Sequence, residues 1–395
     1  MKNVVILGST GSIGVNAVKA VKNLGSGWRV LGLTANSDLK ALAAQVKAVK
    51  PAYVAVFEYA AWKEFRPLVP RGVKLLSPGV EGLVEMASMQ EADIVLSAVT
   101  GAVGFSPLLA AIRASKHIAL ANKEPMVMAG ALLLKEAERW QARIVPVDSE
   151  PSAIFQCLAG VKPGQYDAAV SRVLLTASGG PFYAVKGPLD KVTPAQALRH
   201  PRWSMGPKIT VDSSTLMNKG LEAIEIKNLF SLPISKIEVV IHPQSVLHSA
   251  VEFRDGSVLA QLSLPDMKLP IQYALTWPDR APSLAGPLDL FRLARLDFAR
   301  PDFRRFPCLG LAFEAARKGG IHPAALNAAN EVAVERFIAG RLRFTGIPAV
   351  VEKVLAACRG DSRDRFTLAD AVEADSWARQ KAADAADGIL RRCKK

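Results

Sequence analysis

The chain is short of cysteine. Among 395 residues there are four, Cys157, Cys308, Cys358 and Cys393, and no two form a CxxC pair. That excludes a disulfide framework and a zinc ribbon, and it fits a reducing compartment. No apolar run reaches the roughly 18 residues that span a bilayer. No leader is evident: Met1 runs almost directly into Val4-Val5-Ile6-Leu7-Gly8. The expectation is a bacterial, cytoplasmic protein without a signal or transit peptide and without a membrane partner. Internal repeats and low-complexity segments are missing too. With 50% hydrophobic and 22% charged residues, 28 Gly and 25 Pro, the composition excludes a disordered or collagen-like chain.

Acidic residues are outnumbered. There are 50 Lys+Arg against 36 Asp+Glu, a net charge of +14. Such a surplus suits anionic partners: nucleic acid, anionic lipid or phosphorylated small molecules. The basic residues are scattered, however. The densest clusters are Arg304-Arg305 and the tail Arg391-Arg392-Cys393-Lys394-Lys395. A long basic run interleaved with aromatics is lacking, so no nucleic-acid partner is expected and a small phosphorylated ligand is preferred.

What is present begins with an alternation. Apolar runs at 3–7, 29–34, 53–57, 93–98, 117–121 and 142–147 predict strands. Between them 13–24, 39–49, 82–89, 106–114 and 130–140 have helical patterns. Strands of this kind, separated by helices, form a parallel sheet covered on both faces, with ligands at the strands' carboxyl ends. The fold class expected is α/β: an N-terminal doubly wound, Rossmann-like sheet, then an α+β middle domain with an antiparallel sheet, then a C-terminal helical bundle. The boundaries drawn are 1–149, 150–285 with a lid at 183–208, a linker at 286–310, and 311–395.

After the first strand stands Gly8-Ser9-Thr10-Gly11-Ser12-Ile13-Gly14. Glycine lets the backbone turn sharply and approach a pyrophosphate, and the next helix presents its N–H groups. The end of the second strand chooses between the nicotinamide cofactors. It reads Thr34-Ala35-Asn36-Ser37-Asp38. Asn36 and Ser37 can donate to a 2′-phosphate, which favours NADP, while Asp38 comes slightly late.

The strand ending at Val147 leads into Asp148-Ser149-Glu150-Pro151. If that stretch is extended, residues i and i+2 project together. Two carboxylates on one side need a proton or a hard cation such as Mg²⁺ or Mn²⁺ between them. The alternative is a polar strand exit capping a helix from Pro151. Residues 216–225 look helical, and Asn218, Lys219 and Glu222 share a face there. Alone, that trio reads as a solvated ion pair. Ser178-Gly179-Gly180 makes a small anion nest after an apolar strand, and Val211–Thr215 adds hydroxyls before the Asn218/Lys219 helix. The intervening 183–208 holds His200 and Trp203, either as a mobile lid or as a loop packed on its own domain. Strands are expected at 236–242, 247–253 and 258–264, the last two joined by a hairpin turn. His242 and His248 flank the Pro243 turn as ligands or as structural residues. Helices follow at 310–317, 323–338, 348–357 and 368–390.

Together these segments closely resemble the 1-deoxy-D-xylulose 5-phosphate reductoisomerase family of non-mevalonate isoprenoid biosynthesis. The resemblance spans the chain. It includes Gly8 to Gly14, Ala121-Asn122-Lys123-Glu124, Val147-Asp148-Ser149-Glu150, Ser178-Gly179-Gly180-Pro181-Phe182, and His200 to Gly206. It continues through Val211 to Ser213, Met217 to Glu222, His242-Pro243-Gln244-Ser245-Val246 and Asn327-Ala328-Ala329-Asn330-Glu331. The resemblance implies an enzyme that isomerises 1-deoxy-D-xylulose 5-phosphate and reduces the product with NADPH to 2-C-methyl-D-erythritol 4-phosphate. It implies Asp148, Glu150 and Glu222 as ligands of Mg²⁺ or Mn²⁺, with Lys123 beside them as a catalytic group. It implies substrate contacts from Lys123, Ser149, Glu150, Ser178, His200, Trp203, Ser213, Asn218, Lys219 and Glu222. Cofactor contacts are implied for Thr10, Gly11, Ser12, Ile13, Asn36, Ser37, Asn122, Glu124 and Gly206. Some members have Gly-Lys-Asn where this chain has Asn36-Ser37-Asp38. A homodimer formed through the middle-domain sheet is implied as well. The competing readings are another Rossmann reductase, of the semialdehyde or homoserine dehydrogenase kind, and a non-enzymatic binder using the basic surface.

Overall fold

The computed structural model describes residues 1–203, 205–359 and 366–393, with no side-chain detail from 391 onward. Ser204, residues 394–395 and the side chains of the basic tail from 391 noted in the sequence therefore lie outside what is described. The chain forms two compact units: Met1–Pro125 with Leu133–Phe155 and Asp266–Leu288, and Met126–Leu132 with Gln156–Pro265 and Asp289–Lys395.

The first unit is built on seven strands, β1 (Lys2–Leu7), β2 (Trp28–Ala35), β3 (Tyr53–Val56), β4 (Lys74–Leu75), β5 (Ile94–Ser97), β6 (His117–Leu120) and β7 (Arg143–Pro146). All pair in parallel, in the order β4-β3-β2-β1-β5-β6-β7. Val4, Val5, Ile6 and Leu7 have no exposed surface, as a central strand covered on both faces requires. Because β1 pairs with both β2 and β5, its carboxyl end is the topological switch point where such sheets bind ligands. Six of the strands and the five helices between them answer to the sequence pattern. The two-residue β4 and the helix Tyr59–Phe65 are too short to leave a period.

The boundary expected at 150–285 does not follow the packing. The helix Lys268–Thr276 belongs to the first unit, where Ile271, Ala274 and Leu275 join the sheet's core. Arg143 stacks over the Trp277 ring at 4.7 Å, and Phe155 packs on Trp277 at 5.8 Å between centroids. Apolar burial, with no sequence continuity to announce it, returns this helix to the N-terminal sheet.

The second unit holds β8 (Val170–Ala177), β9 (Ile237–Ile241), β10 (Leu247–Phe253) and β11 (Val258–Leu262), in the order β11-β10-β8-β9. The sheet is mixed where an antiparallel one was expected. β10 pairs antiparallel with β8 and β11, but β8 and β9 run parallel. The helices Pro207–Ser214 and Met217–Leu229 lie between them in sequence, and a helical crossover is what a parallel pair needs. The same unit contains the helices Pro307–Lys318, His322–Ile338, Gly346–Ala357 and Leu368–Cys393, so the expected middle and C-terminal domains form one body. Gly220, in the interior of the Met217–Leu229 helix, faces Ala312 so closely that a Cβ would collide with it. This contact accounts for a glycine that the helix would otherwise disfavour by about 1 kcal/mol. Cys157, Cys308 and Cys358 are buried thiols, and burial pushes Cys157 up to about 11 and Cys308 to about 12.

At the amino end of β6, His117 Nε2 lies 2.7 Å from the Ala274 carbonyl and donates its proton there. Burial, assisted by the charges of Arg143 and Lys2, holds the ring below its ordinary value. Above about pH 6.5 the ring is neutral in both folded and unfolded chains. Below it the unfolded chain takes up a proton that the folded one resists, so stability falls with acidification. We expect the urea midpoint to drop between pH 7 and pH 5.5, and His117→Gln to flatten that part of the profile. Superimposable profiles for the two proteins would exclude this source.

Candidate active site

At the end of β1, Gly8 has φ +81°. A Cβ there would lie 2.6 Å from the Ala98 carbonyl oxygen. The Gly8 N–H donates to Thr34 Oγ1 at 2.8 Å and the Ser9 N–H to the Thr34 carbonyl at 2.7 Å. Gln45 Nε2 donates to the Ser9 carbonyl at 2.7 Å. The turn is thus fixed from three sides before the helix Ser12–Asn23 begins. Gly11 is its N-cap and no side chain caps its first turn. Gly11 and Ser12 are exposed, Thr10 and Ile13 half-buried. The positive end of the helix is therefore open to an anion. At the end of β2, Asn36 and Ser37 are exposed. Asp38 Oδ1 accepts the Ala41 N–H at 3.0 Å and caps the helix Leu39–Val49.

After β6, Asn122 is buried. Its Nδ2 donates to Glu124 Oε2 at 2.5 Å and to the Gly101 carbonyl at 3.2 Å. Lys123 is buried and forms an ion pair with Asp148. Carboxylate oxygens of Asp148 and Glu150 lie within 4.8 Å of each other, and Ser149 Oγ donates to Glu150 Oε2 at 2.7 Å. This carboxylate pair does not arise from an extended strand. β7 stops at Pro146 and a helix runs Ser149–Cys157, with Glu150 in its first turn. The Ser152 N–H already donates to the Asp148 carbonyl at 2.9 Å, and Asp148 Oδ1 accepts the Ser149 N–H at 3.1 Å. Pro151 does not delay the helix, because an N–H in the first turn has no intrahelical partner to lose. The strand-to-helix corner brings the two carboxylates together.

In the second unit Ser178 follows β8. Gly179 and Gly180 both have positive φ, +85° and +68°. Ser178 Oγ accepts the Gly180 N–H at 3.2 Å and sits 3.0 Å from His200 Nε2. His200 Nδ1 accepts the N–H groups of Arg202 and Trp203, at 3.2 and 2.9 Å. An imidazole nitrogen that accepts carries no proton, so Nε2 is the protonated one and donates to Ser178. The Trp203 ring is half-buried, 6.4 Å from the His248 ring, so the lid tryptophan packs on its own unit. His242 and His248 are structural: His242 Nδ1 bonds the Asp297 carbonyl at 2.9 Å and His248 Nε2 the Ser263 hydroxyl at 2.9 Å.

Gly206 is the N-cap of the helix Pro207–Ser214. The hydroxyls expected ahead of a helix are thus partly on one, and Ser213 is buried in it. Leu216, at φ +58°, turns the chain into the helix Met217–Leu229. There Glu222 is 0% exposed. Asn218 Nδ2 donates to its Oε1, and Lys219 Nζ pairs with its Oε2 at 2.6 Å. The trio that alone resembled a solvated ion pair is interior. A buried carboxylate left unpaired costs several kcal/mol, so pairing of the kind that Asn218 and Lys219 give is a condition of the fold. Two further buried polar residues, Asp212 and Asn330, lie in segments that carry the family resemblance, but the sequence reading assigns them no role. The spacing of Lys208 and Asp212 at i,i+4 was the available signal.

Family models match three stretches of the chain: 1-deoxy-D-xylulose 5-phosphate reductoisomerase over 4–130, its C-terminal domain over 144–230, and a DXP reductoisomerase C-terminal domain over 262–381. The reductoisomerase of Elusimicrobium minutum is 53% identical over 97% of this chain and 96% of its own. That of Pelotomaculum thermopropionicum is 51% identical, over 96% and 97%. The chain belongs to the 1-deoxy-D-xylulose 5-phosphate reductoisomerase family. It is therefore an oxidoreductase, and the readings as another reductase or a non-enzymatic binder are set aside. Among solved structures, a family member in complex with NADPH, fosmidomycin and magnesium matches at TM-score 0.92 and 40% identity, covering 98% of this chain and 99% of its own. The Zymomonas mobilis member in complex with NADPH matches at 0.87, with the same identity and coverage.

The turn at Gly8 generates a stability contrast. A left-handed conformation costs a side-chain-bearing residue about 1–2 kcal/mol, and overpacking adds roughly as much again. Gly8→Ala is expected to lower unfolding stability by at least ~2 kcal/mol. Gly11→Ala, whose Cβ would meet only the Gly8 carbonyl at 3.5 Å, is expected to cost under ~1 kcal/mol. Equal losses in urea denaturation would refute the steric account.

Proposed function

We propose that the residues described above divide one reaction between them. The reaction is that of the family: NADPH- and divalent-metal-dependent isomerisation and reduction of 1-deoxy-D-xylulose 5-phosphate to 2-C-methyl-D-erythritol 4-phosphate, in isopentenyl diphosphate biosynthesis. The observation that carries the assignment is Glu222, a carboxylate with no exposed surface, oriented by Asn218 and Lys219 on its own helix.

Asp148, Glu150 and Glu222 would hold the metal. Their donor set is all oxygen, which suits Mg²⁺ or Mn²⁺, and the Asp148/Glu150 pair is spaced for one cation. A bound divalent cation polarises a carbonyl and holds neighbouring hydroxyl oxygens. Lys123, held by Asp148, supplies a positive charge at the oxygenated end of the substrate, and Ser149 and Glu150 contact the same end. The phosphate lies on Ser178, Ser213, Asn218 and Lys219, with His200 Nε2–H as a further donor. The lid 183–208 carries His200 and Trp203 over the substrate and keeps water from the reacting carbons. NADPH supplies the hydride. Its pyrophosphate meets Thr10, Gly11, Ser12 and Ile13, its 2′-phosphate Asn36 and Ser37, and its remaining contacts come from Asn122, Glu124 and Gly206.

Among the described residues no helix is long and apolar enough to cross a membrane, and the substrate class and bacterial relatives support a cytoplasmic enzyme. A homodimer is proposed through the edge strand β11, where Val258 and Leu259 stand about half exposed. Leu259→Arg is expected to convert a dimer to a monomer in sedimentation analysis; an unchanged mass would remove β11 from the interface. Glu222→Gln is expected to lower kcat at least a hundredfold while the NADPH Kd stays within threefold of the parent. Near-normal turnover in that variant, or in chelator-stripped protein, would contradict the metal assignment.

A further inference from the structure

Asp212 stands beside Ser213 on the helix Pro207–Ser214 and is 1% exposed. Its Oδ2 accepts Lys208 Nζ at 2.9 Å from the same helix. Its Oδ1 accepts Asn330 Nδ2 at 2.8 Å from the helix His322–Ile338. Asn330 is fully buried. An interior carboxylate tolerates few arrangements, because each lost partner leaves charge without solvent. The pair therefore fixes how the short helix is rotated against the C-terminal bundle.

That rotation has consequences for two adjoining turns. On one side, a Cβ on Gly180 would lie 2.7 Å from the Ser213 carbonyl oxygen, so the Ser178-Gly179-Gly180 turn rests directly on the helix end. On the other, Thr215 Oγ1 donates to the carbonyls of Val211 and Asp212, both at 3.2 Å, and accepts the Met217 N–H at 3.3 Å. This closes the corner at left-handed Leu216, from which Asn218 and Lys219 start. Ser178, Ser213, Asn218 and Lys219 are thus arranged around one short helix whose buried carboxylate is clasped by the bundle.

We infer that Asp212, clasped by Asn330, is a positioning residue for the phosphate end of the substrate site. The inference rests on the reading above that those four residues hold the phosphate. It gives the Asn327-Ala328-Ala329-Asn330-Glu331 segment a role in binding, since the bundle then sets substrate affinity without touching substrate.

The test uses the full-length enzyme with NADPH and Mg²⁺. Asn330→Ala is expected to raise KM for 1-deoxy-D-xylulose 5-phosphate at least tenfold and to weaken competition by inorganic phosphate equally. Its kcat should change less than threefold and its NADPH Kd should not move. Asn330→Asp sets two carboxylates face to face and should raise KM further. The exchanged pair Asp212→Asn/Asn330→Asp restores one donor and one acceptor and should return KM to within threefold of the parent, which also covers an Asn330→Ala variant that fails to fold. Ser213→Ala separates the two layers. If it raises KM while the clasp variants leave KM unchanged, or if the exchange gives no rescue, the positioning role is overturned. If neither Ser213→Ala nor the clasp variants raise KM, the phosphate reading falls and the inference with it.

Discussion

The Glu222 carboxylate, buried without exposed surface and engaged by Asn218 and Lys219, is the constraint on which the second unit depends. An interior charge demands partners, and here all three groups lie within four positions of one helix. The helix must then be interior too. Its first ten residues are buried, and Gly220 allows the Pro307–Lys318 helix to approach at Ala312. The pairing around Glu222 also fixes Lys219 and Asn218 as a rigid polar turn. On the proposed reading of these residues as a phosphate site, that rigidity helps, because donors held in place lose little entropy on binding.

The first unit solves the equivalent problem with backbone. At the end of β1 the requirement is close approach, and it is met by a glycine at φ +81° packed under the Ala98 carbonyl and tied to Thr34. The helix that follows offers its uncapped N–H groups to an anion. Where this unit does use charge, Lys123 and Asp148 neutralise each other. Asp148 and Glu150 stay close enough to share a cation because the chain turns from strand to helix between Pro146 and Ser149.

Much of this was legible from residue order alone. The six longer strands of the first sheet, the glycine-rich turn after β1, the Met217–Leu229 helix with its polar face and the C-terminal helices each carry a local signal: period, glycine spacing or an i,i+3/i,i+4 pattern. The family segments add specificity because several occur in the same order. Other features have no local signal. Glu222 looks like half of a solvated pair and is interior. His242 and His248 look like possible ligands and are consumed by a carbonyl and a hydroxyl.

The sequence by itself determined the alternation that makes a doubly wound sheet, the position of the glycine-rich turn after β1, and the set of carboxylates, hydroxyls and amines from which the proposed site is drawn. Tertiary structure alone decided that the Lys268–Thr276 helix returns to the first sheet, that β9 runs parallel to β8, and that Asp212 is clasped by Asn330 across 118 positions. The physical reason is range. Propensity, capping and helical spacing act over a few residues and are written in order along the chain. Burial and charge pairing depend on which surfaces meet after the chain has folded back on itself.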